Sequence, residues 1–231
     1  MTGESFLGLG PAEWSAVMLS LRVSAVATLV SLPLGVWVAY LLARRRFWGY
    51  GVLNGLVHLP LILPPVVTGY ALLLAFGRGG WIGEPLRALF GISFAFSWTG
   101  AAIAAAVMAF PLMVRAIRLS IEAVDPGLEA AAATLGARPR AVFLGVTLPL
   151  AAPGILAGAI LAFAKALGEF GATITFVSNI PGETRTIPSA IYAFLQVPGG
   201  EGAALRLAAI SVVLALGALV ASELLARRVR A

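Results

Sequence analysis

The sequence predicts an all-α fold: a polytopic membrane bundle of about five spanning helices, with room for a sixth. Three observations predict it. The 231 residues are 60% hydrophobic and only 11% charged, with mean hydropathy +0.98, where a soluble domain carries about 25% charge. Five apolar stretches reach the ~20 residues a helix needs to cross the hydrocarbon core. Arginines gather beyond the ends of these stretches, where a membrane chain keeps its topology signals. The whole chain, 1–231, reads as a single membrane domain without a convincing internal repeat.

Residues 1–19 contain Glu4, Glu13 and Trp14 but no basic residue, and suit an interfacial lead-in. Span 1 covers about 20–43. Arg22 near its start is expected to snorkel to the interface, since a mid-bilayer arginine costs ~2.5–3.5 kcal/mol or more. Pro33 and Gly35 mark a kink, and Arg44-Arg45-Arg46 stop transfer. Span 2, about 51–76, contains HLPLILPPVVTGY at 58–70. Pro60, Pro64 and Pro65 each remove a backbone donor, so this helix must bend or break. The break is either a packing kink or part of a gate.

Residues 77–97 read as a glycine-rich loop. Span 3, about 98–117, carries a small-residue stripe at Ala101, Ala105 and Ala109 for close helix packing. Span 4, about 150–172, spaces Gly154, Gly158, Ala162 and Ala166 by four, and Lys165 and Glu169 share a face. Residues 173–204 form an outside segment in which Pro188 starts a helix too short to cross. Span 5 covers about 205–226, followed by Arg227, Arg228 and Arg230. Ten of the sixteen basic residues lie on the Arg44 side of this topology and four on the other. That asymmetry puts the amino terminus outside, the carboxyl terminus inside and the 119–149 loop in the cytoplasm. The +6 net charge is thereby a matter of orientation, with no nucleic acid required.

The polar stretch Asp125–Pro149, DPGLEAAAATLGARPRAVFLGVTLP, breaks the apolar pattern. Asp125 caps a helix beginning at Pro126. Glu129 suits its positive end, the alanines 130–133 favour helix, and Gly136 stops it. A second short helix starts at Pro139 and is expected to end near Pro149. The stretch resembles the EAA loop of ABC-importer permeases: an acid, two alanines (Ala130 and Ala131 here), a glycine, then nine residues before Val146-Thr147-Leu148-Pro149. Glu129 lies seven residues before Gly136 rather than the family's more frequent six, and Ala130 fills the usual acidic position.

The chain holds no cysteine and one histidine, His58, which excludes disulfides, thiolate nucleophiles and multi-histidine metal sites. Its single lysine, Lys165, lies in AFAKALG, outside any phosphate-binding P-loop. The chain itself is therefore not read as an enzyme and has no catalytic or metal residues to offer. Further segments, LPLILPPVVTGY at 59–70, SFAFSW at 93–98, FPLMVRAIRLSIE at 110–122 and FAKALGEFGATITFVSNIPGETRTIPSAIY at 163–192, are similar to the permeases of molybdate importers. GEFGA is shared with sulfate permeases, and NIPGETRTIPSAIY favours molybdate.

The resemblance implies a type I ABC importer permease in the inner membrane. Two copies would form the pathway. Two cytoplasmic ATPase subunits, holding ATP and magnesium, would grip the loops, and a periplasmic binding protein would deliver the oxyanion. The chain itself would bind no cofactor. Contacts with the ATPase would fall on Glu129, Ala130, Ala131, Gly136, Arg138, Pro139, Leu148 and Pro149. The pathway or gate would draw on Pro64, Pro65, Thr68, Phe110, Lys165, Glu169, Thr173 and Thr175. Lys165 and Glu169 read either as a structural pair or as an attraction for a dianion. The alternatives are a permease for sulfate or another oxyanion and, further off, a secondary transporter.

Overall fold

The structure, a computed structural model, describes residues 9–230, without the side chains of 222, 223 and 225–230. The expected role of Glu4 lies outside these residues. Among the described residues every element is helical. Four helices are long and apolar enough to cross a membrane, and a pair of shorter helices bent against each other makes five if it counts as one span.

Helix α1 (Pro11–Arg44) begins well before the expected span, because Gly10 and Pro11 form a good start: the Glu13 carboxylate accepts the Gly10 N–H at 2.6 Å. Residues 11–19 of the expected interfacial lead-in are thus helical and continuous with the span. At 34 residues α1 is ~51 Å long, more than the ~30 Å hydrocarbon core, so its ends project into the interfaces. Arg22 does not merely snorkel; its guanidinium lies 3.6 Å over the Trp98 ring, a cation–π contact.

The prolines of span 2 break it. Helices α2 (Tyr50–Ile62) and α3 (Pro65–Phe76) meet at 116°. Leu63 closes α2 through the Leu59 carbonyl, Pro64 is extended, and Pro65 opens α3. The pair still traverses the bundle. At one end Asn54 accepts from Arg118 at 3.3 Å; at the other Phe76 packs edge-on against Phe94. The loop expected over 77–97 contains a helix, α4 (Gly83–Phe90). Gly83 abuts the Phe76 and Gly77 carbonyls, where a Cβ would clash, so the glycines there fold the chain back onto the end of α3.

Helix α5 (Trp98–Glu122) is the axis of the core. Ala101, Ala105 and Ala109 are buried on it, with Met113, Val114, Ile117 and Ile121 completing the face. It runs past Pro111 for five residues more than the expected span. Between α6 (Pro126–Thr134) and α8 (Leu148–Leu167), α7 (Pro139–Val142) passes through a π turn at Phe143–Thr147 directly into α8. The second helix of the polar stretch therefore does not end near Pro149; it is the first part of one 29-residue crossing. The π turn explains why. Leu148 N–H bonds the Phe143 carbonyl, five residues back, and the widened turn makes room for the proline ring that would otherwise strike the preceding carbonyl.

Gly154 lets α8 seat against Ser120 and Gly158 lets it seat on Ile117, where a Cβ would lie 2.9 Å from the isoleucine side chain. Two short helices, α9 (Gly171–Val177) and α10 (Ile187–Leu195), precede α11 (Glu201–Arg230). A second, smaller core joins Ala16 and Val17 of α1 to Ile187, Ala190 and Leu207. Arg206 pairs with the buried Glu13 at 2.9 Å, so α11 starts beside the start of α1.

Candidate functional site

The projecting elbow between α5 and α8 is built by local rules. Asp125 Oδ1 accepts the Gly127 N–H at 2.8 Å and caps α6. At its other end Ala137 N–H bonds the Ala132 carbonyl at 3.1 Å and Gly136 N–H the Ala133 carbonyl at 3.0 Å. This paired closure needs a left-handed residue, and Gly136 supplies it with φ +87°. Arg138 is extended and Pro139 starts the next helix. No α6 residue is buried. Ala130, Ala131, Arg138, Pro139 and Arg140 are exposed, as is Leu135 at 89%. A leucine so bare, beside the hinge, is an apolar tip without an intramolecular partner.

Glu129 does not face outward with the rest. It accepts from the Thr147 hydroxyl at 2.6 Å and from Arg44 Nε at 3.2 and 3.3 Å to its two oxygens. Arg44 also donates to the Val124 carbonyl at 2.8 Å. The first turn of α6 is thereby tied to the end of α1 and to the π turn. Thr147 is buried, and the pair itself is largely shielded from water, so these charge-assisted bonds are strong. Sequence reasoning read Arg44 only as a stop-transfer charge and Thr147 only as one letter of V-T-L-P. Arg44 stands 85 residues from Glu129, and no local signal joins them. Leu148 and Pro149 open α8, nine and ten residues along the continuous helix from Pro139.

The candidate pathway residues fall into two places. Around the break of span 2, Pro65 packs on Gly171, where a Cβ would come within 2.7 Å, and Gly69 sits against Ala172 and Thr175. Pro64, Pro65 and Thr68 are thus brought beside α9. Glu169 joins the same place: it is 3% exposed, takes the Ala172 N–H at 3.0 Å at the start of α9, and pairs with Lys165 at 3.3 Å. Thr173 is buried, and Thr175 turns its hydroxyl back to the Gly171 carbonyl at 2.9 Å. Thr68 is buried with its hydroxyl unpaired. Phe110 is elsewhere. It lines a cavity of about 340 Å³ with Ser31, Leu56 and Pro60, under the α2 side of the break.

The segment Ser178–Ser189 closes on itself. The Thr184 hydroxyl takes the Ile180 N–H at 2.9 Å, Arg185 donates to Asn179 at 3.0 Å, and Ile187 N–H bonds the Ser20 hydroxyl at 2.7 Å. These polar residues hold the turn together and anchor it to α1.

The elbow thus joins α5 to the start of α8, and the broken helix packs on α9 beyond the other end of α8. The profile of the family described as "Binding-protein-dependent transport system inner membrane component" matches residues 31–231. The molybdenum transport system permease protein ModB of Escherichia coli (strain K12) is 63% identical, with 93% of this chain and 94% of the relative aligned. ModB of Haemophilus influenzae is 56% identical over 94% and 95%. The sulfate transport system permease protein CysW of Synechocystis is further away, at 37% over 90% and 76%. A bacterial ABC transporter involved in import of the polysaccharide alginate superposes with TM-score 0.75 at 17% identity, covering 96% of this chain and 81% of that one. The fold is therefore that of ABC-importer permeases, and the chain belongs to the family of binding-protein-dependent transport system inner membrane components.

Proposed function

We propose that the chain is the permease subunit of an ATP-driven importer that carries molybdate across the inner membrane. The observation that carries the coupling role is the elbow: an exposed, Gly136-hinged helix pair, braced by Glu129, Arg44 and Thr147 and continuous with α8. The cargo rests on the high identity to molybdenum permeases and the lower identity to a sulfate permease. The chain binds no cofactor; ATP and magnesium sit on a separate ATPase, whose cleft receives Leu135 and the exposed arginines 138 and 140. The Arg44 end of the bundle is cytoplasmic, with the amino terminus periplasmic, in keeping with the arginine asymmetry.

A second copy completes the pathway, and a periplasmic molybdate-binding protein loads it. When the ATPase pair closes, α6 is displaced. The Glu129 brace passes the displacement to α1, and the unbroken helix passes it along α8 to the Lys165–Glu169 end. There α9 and α3 are packed through glycine, so movement of one moves the other. The test is uptake in proteoliposomes containing this chain, its ATPase and its binding protein. Labelled molybdate should enter only with ATP inside, and unlabelled molybdate should compete better than sulfate. Uptake that persists without the ATPase would assign a secondary transporter, and preferential competition by sulfate would reassign the cargo.

A further inference from the structure

On the same end of the bundle as the elbow, a cleft of about 790 Å³ opens between the end of α1, the start of α2 and the end of α5. Arg44, Arg45, Arg46 and Arg118 line it, with Tyr50 and one acid, Glu122. Two of the four cations are already engaged. Arg118 pairs with Glu122 at 2.7 Å and lies over the Tyr50 ring; Arg44 belongs to the Glu129 brace. Arg45 and Arg46 are exposed and have no acidic partner among the described residues. Helix α2 begins in the same cleft at Tyr50 with no capping side chain and no acid in its first turn, so its positive end is also uncompensated. Immediately beside the arginines Phe47 is 42% and Trp48 99% exposed.

We propose that this cleft binds the head group of an anionic phospholipid. The arginines mark the depth at which α1 leaves the hydrocarbon, which is where lipid phosphates lie. Arginine forks match phosphate oxygens. A fully exposed tryptophan next to them suits the boundary between head groups and acyl chains, and a basic cleft between spanning helices at that depth is the form lipid sites take. The ligand chemistry, a phosphate-type oxyanion, is shared with soluble anions. The membrane source is favoured because the cleft carries an apolar shelf, Phe47 and Trp48, that a bare inorganic ion does not need.

The experiment is native mass spectrometry of the detergent-purified chain equilibrated with equal phosphatidylglycerol and phosphatidylcholine. The wild type is expected to retain phosphatidylglycerol roughly tenfold over phosphatidylcholine. The double substitution Arg45→Gln/Arg46→Gln should remove that preference. Arg45→Lys/Arg46→Lys should keep most of it, and Arg78→Gln/Arg87→Gln, outside the cleft, should leave it unchanged. Equal retention of the two lipids by wild type, or a preference unaltered by Arg45→Gln/Arg46→Gln, overturns the site. Binding of inorganic phosphate or molybdate that depends on Arg45 and Arg46, without any lipid preference, overturns the lipid and gives the cleft to a soluble anion. If the glutamine variant fails to fold, displacement of bound phosphatidylglycerol from wild type by millimolar phosphate serves instead: full displacement overturns the proposal and retention supports it.

Discussion

At position 129 a single carboxylate decides how the elbow is held. Removing its cation, as in Arg44→Ala, leaves Glu129 half-shielded with only Thr147 and frees the Val124 carbonyl. The expected cost is about 1–3 kcal/mol, read as a lower melting temperature in detergent. ATP hydrolysis by the assembled complex should persist while molybdate uptake falls severalfold; unchanged uptake would remove the brace from the mechanism. At the opposite end Glu13 is buried and accepts from the Gly10 N–H at 2.6 Å and from the Arg206 guanidinium at 2.9 Å. Glu13→Gln, which keeps the shape and removes the charge, should therefore lower the melting temperature in detergent; an unchanged value would contradict the pairing. Glu129 was legible as a first-turn acid, but its partners were not. Arg44 looked the same as Arg45 and Arg46 in sequence, and only the return of the chain after 80 residues singles it out.

Among the elements, glycine and proline were read well where they act alone and badly where a helix absorbs them. Of the three prolines of span 2, Pro60 is absorbed inside α2, whereas the adjacent pair Pro64-Pro65 ends that helix and opens α3, and the 116° bend lies there. Pro149 announced a stop that does not occur, since one extra residue in the π turn at Phe143–Thr147 accommodates it. The glycines of 77–97 suggested a loop, yet they serve to press the chain against α3 while Glu84–Phe90 stay helical. Gly136 was read as a helix stop and is one, with φ +87° and open space where a side chain would stand. Gly136→Val is thus expected to cost about 1–2 kcal/mol through backbone strain rather than collision, and to change the elbow angle. The variant should assemble with its ATPase and hydrolyse ATP, with molybdate uptake reduced at least tenfold. Normal uptake by an assembled variant would show that the angle carries no coupling.

For the whole molecule, composition and arginine placement were enough to announce a helical bundle of about five crossings, because lipid admits few other solutions. The packing partners were not accessible that way. Gly154 and Gly158 declared a close contact but not that α5 supplies it, and the small core joining α1, α10 and α11 spans the full chain length. The central claim is that the elbow is the handle of a separate ATP-hydrolysing subunit. Because the sequence holds no cysteine, an introduced cysteine is its only thiol. Cysteine placed one at a time at Ala130, Leu135 and Arg138, followed by bifunctional cross-linking in native membranes with and without ATP, tests the claim most directly. An adduct with a nucleotide-hydrolysing partner, at yields that change when ATP is added, is the predicted result. No adduct at any of the three positions, in membranes where each variant still takes up molybdate, would contradict it.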